Sequence, residues 1–486
     1  MKRRQAIRHL GVGFSSALVG TSWLSSCKKD DPGPEIQYDG NVIVIGAGPA
    51  GLLAADILAT KGISVTILEA TAQAGGRVQS LVNQEGLIYQ SIGDFPIELG
   101  AEYFQGNDSF LGKLAANLNL ATVNLPEESR RYVLGNAARS ASELIGNADF
   151  EAVQAFMDGL TTYTGPATSM KDAAGGLSPD AMALLNGQAG NFYGSSSDRV
   201  GVKGIAEQLK IIDHDEEYYV LKNHPMQDVL ISRFFSLKDK IQFNAPVKSI
   251  NYSSDPITVT LENGDQLTAN KVVVTVPVTI LKNGITFAPG LPAAKTSALN
   301  RIGMDPSIRV ILEFKKNFWG LDSSLFWGGN VAPQYFNAGI GRSEFSQILT
   351  VTINGPKALE LSNLNDDVLI VKAVLADLDV QYEGKASEFI RRELPDEADP
   401  RPPEQQEMIA FVKDWTKAPY AKGGFSYPLA ATTLDDRTAL IEPINNKLFF
   451  AGEATDISGE PGTVNGAFAS GERVAEDVVQ SILKVS

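Results

Sequence analysis

Residues 41–51 read Asn41-Val42-Ile43-Val44-Ile45-Gly46-Ala47-Gly48-Pro49-Ala50-Gly51. The β-branched run up to Ile45 has the pattern of a strand buried on both faces. It leads into a glycine turn and then into residues 52–61, rich in Ala and Leu, which Gly62 stops. Residues 63–68 form a second β-branched run that ends on Glu69. Strand, glycine turn, helix and strand make a βαβ unit with a dinucleotide fingerprint. Gly46 permits the tight turn, Gly48 lets backbone approach a pyrophosphate, and Gly51 lets helix and strand pack closely. The helix N-terminus offers unpaired N–H groups and roughly half a positive charge to phosphates. Glu69 stands where an acid accepts hydrogen bonds from a ribose diol.

This cradle is common to two dinucleotide cofactors. The next segment, Ala74-Gly75-Gly76-Arg77-Val78, adds a second close backbone approach and an arginine able to pair with phosphate. An arginine in such a place also serves in a structural ion pair.

The 486-residue chain is too long for one simple core, so two domains are expected. A net charge of -15 argues against general nucleic-acid binding, which needs basic patches. The single cysteine, Cys27, excludes an intrachain disulfide and any cysteine-rich metal site. With only three histidines, no metal site is expected.

The first 26 residues read as an export signal to be set apart from the fold. Lys2, Arg3, Arg4 and Arg8 precede a weakly apolar run at residues 10–24, too short and polar for a membrane span. Arg3-Arg4 resembles a twin-arginine signal. Leu24-Ser25-Ser26-Cys27 resembles a bacterial lipobox, which implies a lipidated Cys27, a tether over residues 27–39 and a place on the bacterial cell envelope, periplasmic or at the outer-membrane surface.

With Gly75-Gly76-Arg77 added to the βαβ unit, the sequence resembles the flavin-containing amine oxidase family. Further motifs carry the resemblance along most of residues 40–486. They are Glu98-Leu99-Gly100-Ala101-Glu102-Tyr103, Pro246-Val247-Lys248, the Trp415 to Phe425 segment, Ala451-Gly452-Glu453-Ala454-Thr455 and Gly462-Thr463-Val464-Asn465-Gly466. The resemblance implies an α/β fold: a discontinuous Rossmann-like FAD-binding domain (40–110, 225–290 and 420–486) and a mixed α+β substrate domain (111–224 and 291–419). It implies that FAD meets Gly46, Gly48, Ala50, Gly51, Glu69, Ala70, Gly76 and Arg77. It also implies contacts from Gly100, Ala101, Glu102, Val247, Trp415, Gly452, Glu453, Thr463 and Val464. Residues 258–270 are expected to form a hairpin turning at Asn263-Gly264, and residues 396–403 a surface loop.

The implied activity is oxidation of a small-molecule amine by hydride transfer to flavin N5, with oxygen as acceptor and imine, aldehyde and hydrogen peroxide as products. Phe425 takes the place of one of two rings that flank the amine in relatives, and Thr463 that of the other. Arg309 stands where relatives carry a lysine. Arginine stays charged and forked, so this exchange is not conservative, and Arg309 is a candidate for a substrate carboxylate or for a structural ion pair. Glu102 is a candidate for attracting a cationic substrate. Gly424 replaces the cysteine through which some relatives attach flavin, so non-covalent FAD is expected. A desaturase-like reaction at a C–C or C–N bond and a non-catalytic FAD-binding protein are the alternatives.

Overall fold

The computed structural model describes residues 35–81, 95–212, 217–343, 347–392 and 407–484. The signal-like segment, Cys27 and the loop expected at residues 396–403 lie outside the described residues.

The β-branched run forms the strand Asn41–Ile45, with residues 42–45 buried on both faces. Each such side chain, fully buried, contributes about 1.5–3 kcal/mol. The strand is central in a parallel five-stranded sheet. The order is Leu448–Phe450, Lys271–Val274, Asn41–Ile45, Ser64–Leu68, Ile241–Gln242. Three distant parts of the chain thus supply one sheet. The helix Pro49–Thr60 follows the first strand, with proline at its start where no N–H partner is needed. The last helix, Val464–Leu483, lies against it. At their crossing a Cβ on Gly471 would stand 2.4 Å from the Ala50 carbonyl oxygen, so only glycine admits this approach.

The predicted hairpin is present as Ile257–Leu261 paired with Gln266–Ala269. It belongs to a four-stranded sheet with Val247–Asn251 and Thr286–Ala288.

A seven-stranded sheet runs Ala410–Asp414, Ser307–Glu313, Ile348–Asn354, Gln334–Asn337, Leu325–Trp327, Arg131–Leu134, Ala137–Arg139. Its pairs are antiparallel except where Phe326–Trp327 meets Arg131–Tyr132. Both faces are covered. Ile308, Val310 and Leu312 pack with Ile370, Val374 and Leu378 of the helix Asp367–Tyr382. Ile311, Phe336 and Ile348 pack on the other face with Leu184, Leu185 and Ala189 of the helix Pro179–Tyr193. At one end of this second face apolar residues give way to polar ones, and there the sheet meets the site.

Candidate active site

The cradle is built as its residue types require. Gly46 has φ of 107°, in the region that favours glycine. The Ala47 N–H donates to Glu69 Oε2 at 2.8 Å, while the Thr71 N–H and hydroxyl donate to Oε1 at 2.9 and 2.8 Å. A carboxylate accepts about four hydrogen bonds, which leaves Glu69 capacity for a diol. The first helix begins at Gly48 without a side-chain cap, and a Cβ on Gly48 would meet nothing within 4 Å. Open space therefore lies in front of exposed helical N–H groups, and a pyrophosphate fits there. Gly51 has the close-packing role read from the sequence, and it is not in the cavity wall. Its Cβ would sit 2.0 Å from the Gly46 carbonyl oxygen, so it closes the turn from behind.

From the cradle a cavity of about 680 Å³ runs between the two large sheets. Its wall includes Gly46, Gly48, Ala50, Glu69, Ala70, Gly76 and Arg77, then Gly100, Ala101, Glu102, Val247 and Trp415. Gly452, Glu453, Thr463 and Val464 complete the cofactor set, and Arg309 and Phe425 line the same space.

Glu453 ties the closing motif to the glycine-rich turn. It accepts from Arg77 Nη1 at 2.8 Å, from the Ser426 hydroxyl at 2.5 Å and from the Gly462 N–H at 2.9 Å. Burial pushes this carboxyl up, but Arg77, Ser426 and Arg437 outweigh that and hold it below its ordinary value. Arg77 Nη1 also donates to the Gly424 carbonyl at 2.7 Å. The phosphate pairing considered for Arg77 is thus replaced, at this nitrogen, by a partly buried ion pair.

Arg309 is 7 % exposed, with Nη1 2.5 Å from Glu102 Oε2 and Nη2 2.6 Å from the Gly100 carbonyl. Thr350 donates its hydroxyl to the other Glu102 oxygen. Two of the guanidinium's five N–H groups are thus engaged within the protein, in the ion pair that was one of the two readings of Arg309. The same pair sets a positive charge directly against Glu102.

Phe425 is half-buried beside the end of the helix Pro179–Tyr193, where a Cβ on Gly194 would come within 3.0 Å of its ring. Tyr103 and Tyr218, with ring centroids 4.9 Å apart, line the cavity together with Phe192. Thr463 caps the last helix: its hydroxyl accepts from the Gly466 N–H at 3.0 Å and donates to the Glu460 carbonyl at 2.8 Å. It shapes the helix end rather than offering a free hydroxyl.

A model of flavin containing amine oxidoreductases matches residues 49–191 and 205–479. The chain belongs to this family. It is 26% identical over 476 residues to human lysine-specific histone demethylase 2, covering 92% of this chain and 54% of that protein. It is 25% identical over 475 residues to polyamine oxidase 2 of Arabidopsis thaliana, covering 91% of this chain and 89% of that one. The chain spans about half the length of the demethylases from human and mouse that it matches. Among solved structures, putrescine oxidase bound to putrescine superposes with a TM-score of 0.71 at 20% identity, over 91% of this chain and 99% of that one. Cyclohexylamine oxidase from Brevibacterium oxydans IH-35A gives 0.71 at 20%, over 92% and 100%. These structures share the α/β architecture with its parallel dinucleotide sheet and mixed second sheet.

In this flavin amine oxidoreductase the cavity also contains residues that the sequence did not single out. Asn191, Gln334, Thr352 and Lys413 all line it. Gln334 and Thr352 sit in strands that read as plain core, and Asn191 in an ordinary helix. Only the cross-strand register, formed between segments far apart in the chain, brings them to one wall.

Proposed function

We propose that this family member oxidises an amine at the carbon next to nitrogen, with dissociable FAD and with oxygen as the acceptor. The observation that carries this reading is one continuous cavity joining the dinucleotide cradle to a chamber walled by Phe425, Phe192, Tyr103 and Tyr218. Related proteins named for oxidising putrescine, cyclohexylamine and polyamines support it.

The bound FAD supplies the hydride acceptor. The chain's own residues hold and orient. Gly46, Gly48 and the first helix would hold the pyrophosphate, Glu69 the ribose, and the start of the last helix would stabilise negative charge on the reduced flavin. The aromatic chamber excludes water and favours the neutral amine, the form able to release hydride, because desolvation penalises ammonium. The amine loses a hydride and a proton to become an imine. Water converts the imine to aldehyde and ammonia, and the hydride and proton reduce oxygen to hydrogen peroxide.

Dissociable FAD rests on Gly424, which has no side chain for attachment. A Cβ there would lie 2.9 Å from Ser307 Cβ, so a cysteine would not fit without movement. The test is to incubate purified holoprotein in air with a primary amine, assay peroxide and aldehyde, then denature and filter. The reading expects the two products in equal amounts and FAD in the filtrate. Amine consumption without peroxide would refute oxygen as acceptor, and flavin retained on the denatured chain would refute dissociable FAD.

A further inference from the structure

Four neighbouring strands of the seven-stranded sheet place Lys413, Arg309, Thr352 and Gln334 directly opposite one another in turn. Residues opposite in antiparallel strands point to the same face, and all four line the cavity. The next row on the same face is Phe411, Ile311, Thr350 and Phe336, and its one polar member, Thr350, is bonded to Glu102. The row of Lys413, Arg309, Thr352 and Gln334 is the one in which all four strands bring a polar side chain to the cavity.

The helix Pro179–Tyr193 adds Asn191. Its neighbour Gly190 packs so closely on Pro333 that a Cβ would stand 2.5 Å from the proline ring. The Gly190 carbonyl also accepts from Asn354 Nδ2 at 2.9 Å. Asn191 is thereby held against the strands that carry Gln334 and Thr352.

Three of these side chains are more than nine-tenths buried and have polar atoms without a protein partner: both amide atoms of Asn191, Nε2 of Gln334 and the hydroxyl of Thr352. Buried polar groups are normally hydrogen-bonded, and leaving several unpaired at one spot is costly. The three residues line the cavity, so a small side-chain rotation lets a ligand's polar group supply the missing partners.

The charges decide which kind. Every carboxylate in the cavity wall is engaged. Glu102 pairs with Arg309, Glu453 with Arg77 and Asp414 with Lys417, while Glu69 accepts from Ala47 and Thr71. Lys413 has no carboxylate partner among the described residues. Its ammonium rests 4.8 Å from the Trp415 ring centroid, and burial pulls its pKa down. Apart from Glu69 in the dinucleotide cradle, a second ammonium on the substrate would find among the described residues of the wall no carboxylate without a cation, and it would find Lys413 without an anion.

We propose that Asn191, Gln334 and Thr352 form a specificity subsite for an oxygen-bearing hydrogen-bonding group, a carboxylate or carboxamide, at the far end of the amine substrate. The subsite rests on the amine-oxidising reading and names its substrate class: amines with an oxygen-bearing tail rather than diamines.

The test uses holoprotein and four matched amines: 4-aminobutanoate, 4-aminobutanamide, butylamine and 1,4-diaminobutane. Flavin reduction is followed anaerobically, and binding of butanoate and butanamide is read separately from the perturbed flavin absorbance. The expected result is kcat/KM about ten- to hundred-fold higher for the two oxygen-bearing amines than for the diamine, the loss expected for an unmatched buried polar group. Thr352→Val and Gln334→Leu should each shrink that ratio about ten-fold, mainly through KM, and weaken butanoate or butanamide binding. Thr352→Ser should keep both, and it decides the matter together with Gln334→Leu if the valine variant does not fold. A diamine preferred over both oxygen-bearing amines, or variants that slow all four amines equally, would overturn the subsite. If no amine reduces the flavin, the amine-oxidising reading fails on its own. Binding of butanoate or butanamide that Gln334→Leu weakens would still support the subsite, and no binding of either would overturn it.

Discussion

Arg309 and Glu102 form a buried pair, 2.5 Å apart, with side chains 8% and 3% exposed. Removing one member of such a pair leaves a charge stranded in a poorly solvating wall, which costs about 3–5 kcal/mol. Arg309→Met should therefore lower holoprotein stability by about that amount in urea unfolding. Arg309→Lys should fall between the two, because lysine keeps the charge but cannot reach both Glu102 and the Gly100 carbonyl with a planar fork. A methionine variant as stable as the parent would show that the pair carries no structural load. At this scale the cradle was open to reading because its logic is local: Gly46, Gly48 and Glu69 act within one βαβ unit. The fate of Arg309 was not, because its partner lies 207 residues away. The sequence allowed both a substrate carboxylate and an ion pair, and only folding decides between them.

Among elements, the last helix does most to complete the cofactor site. It starts at the Thr463 cap, on the cavity wall, and crosses the first helix at Gly471. A methyl at that crossing would push against the backbone of Ala50, in the turn that starts at Gly48. Gly471→Ala should therefore weaken FAD retention about ten-fold or more, roughly 1.4 kcal/mol, measured by equilibrium dialysis of the holoprotein. Gly159→Ala, where a Cβ would meet nothing within 4 Å, should leave retention unchanged. Equal loss in both variants would contradict a specific role for the crossing. Asn41–Ile45, Ser64–Leu68 and Lys271–Val274 were legible as strands because their β-branched runs are short and bounded by glycine, proline or charge, whereas Ile241–Gln242 is too short to show a pattern. Ser307–Glu313 and Ile348–Asn354 were harder to interpret. Both are buried along their whole length, so no alternation separates the face toward the cavity from the face toward the helix Asp367–Tyr382.

Across the whole molecule, two sheets with different tasks share one cavity. The parallel sheet presents the C-terminal ends of its strands and the start of its first helix, as dinucleotide folds do. The mixed sheet presents the row Lys413, Arg309, Thr352 and Gln334. The general plan followed from motifs at both ends of the chain that converge on one cofactor. The substrate wall did not, because Asn191, Gln334, Thr352 and Lys413 come from one helix and three strands whose register forms only on folding. In the proposed function this shared cavity passes hydride from an amine to FAD. The most direct measurement is to mix the holoprotein anaerobically with a primary amine and follow the flavin's visible absorbance. Saturable bleaching is the expected result. Flavin that stays oxidised with every amine, while a chemical reductant bleaches it readily, would contradict the claim.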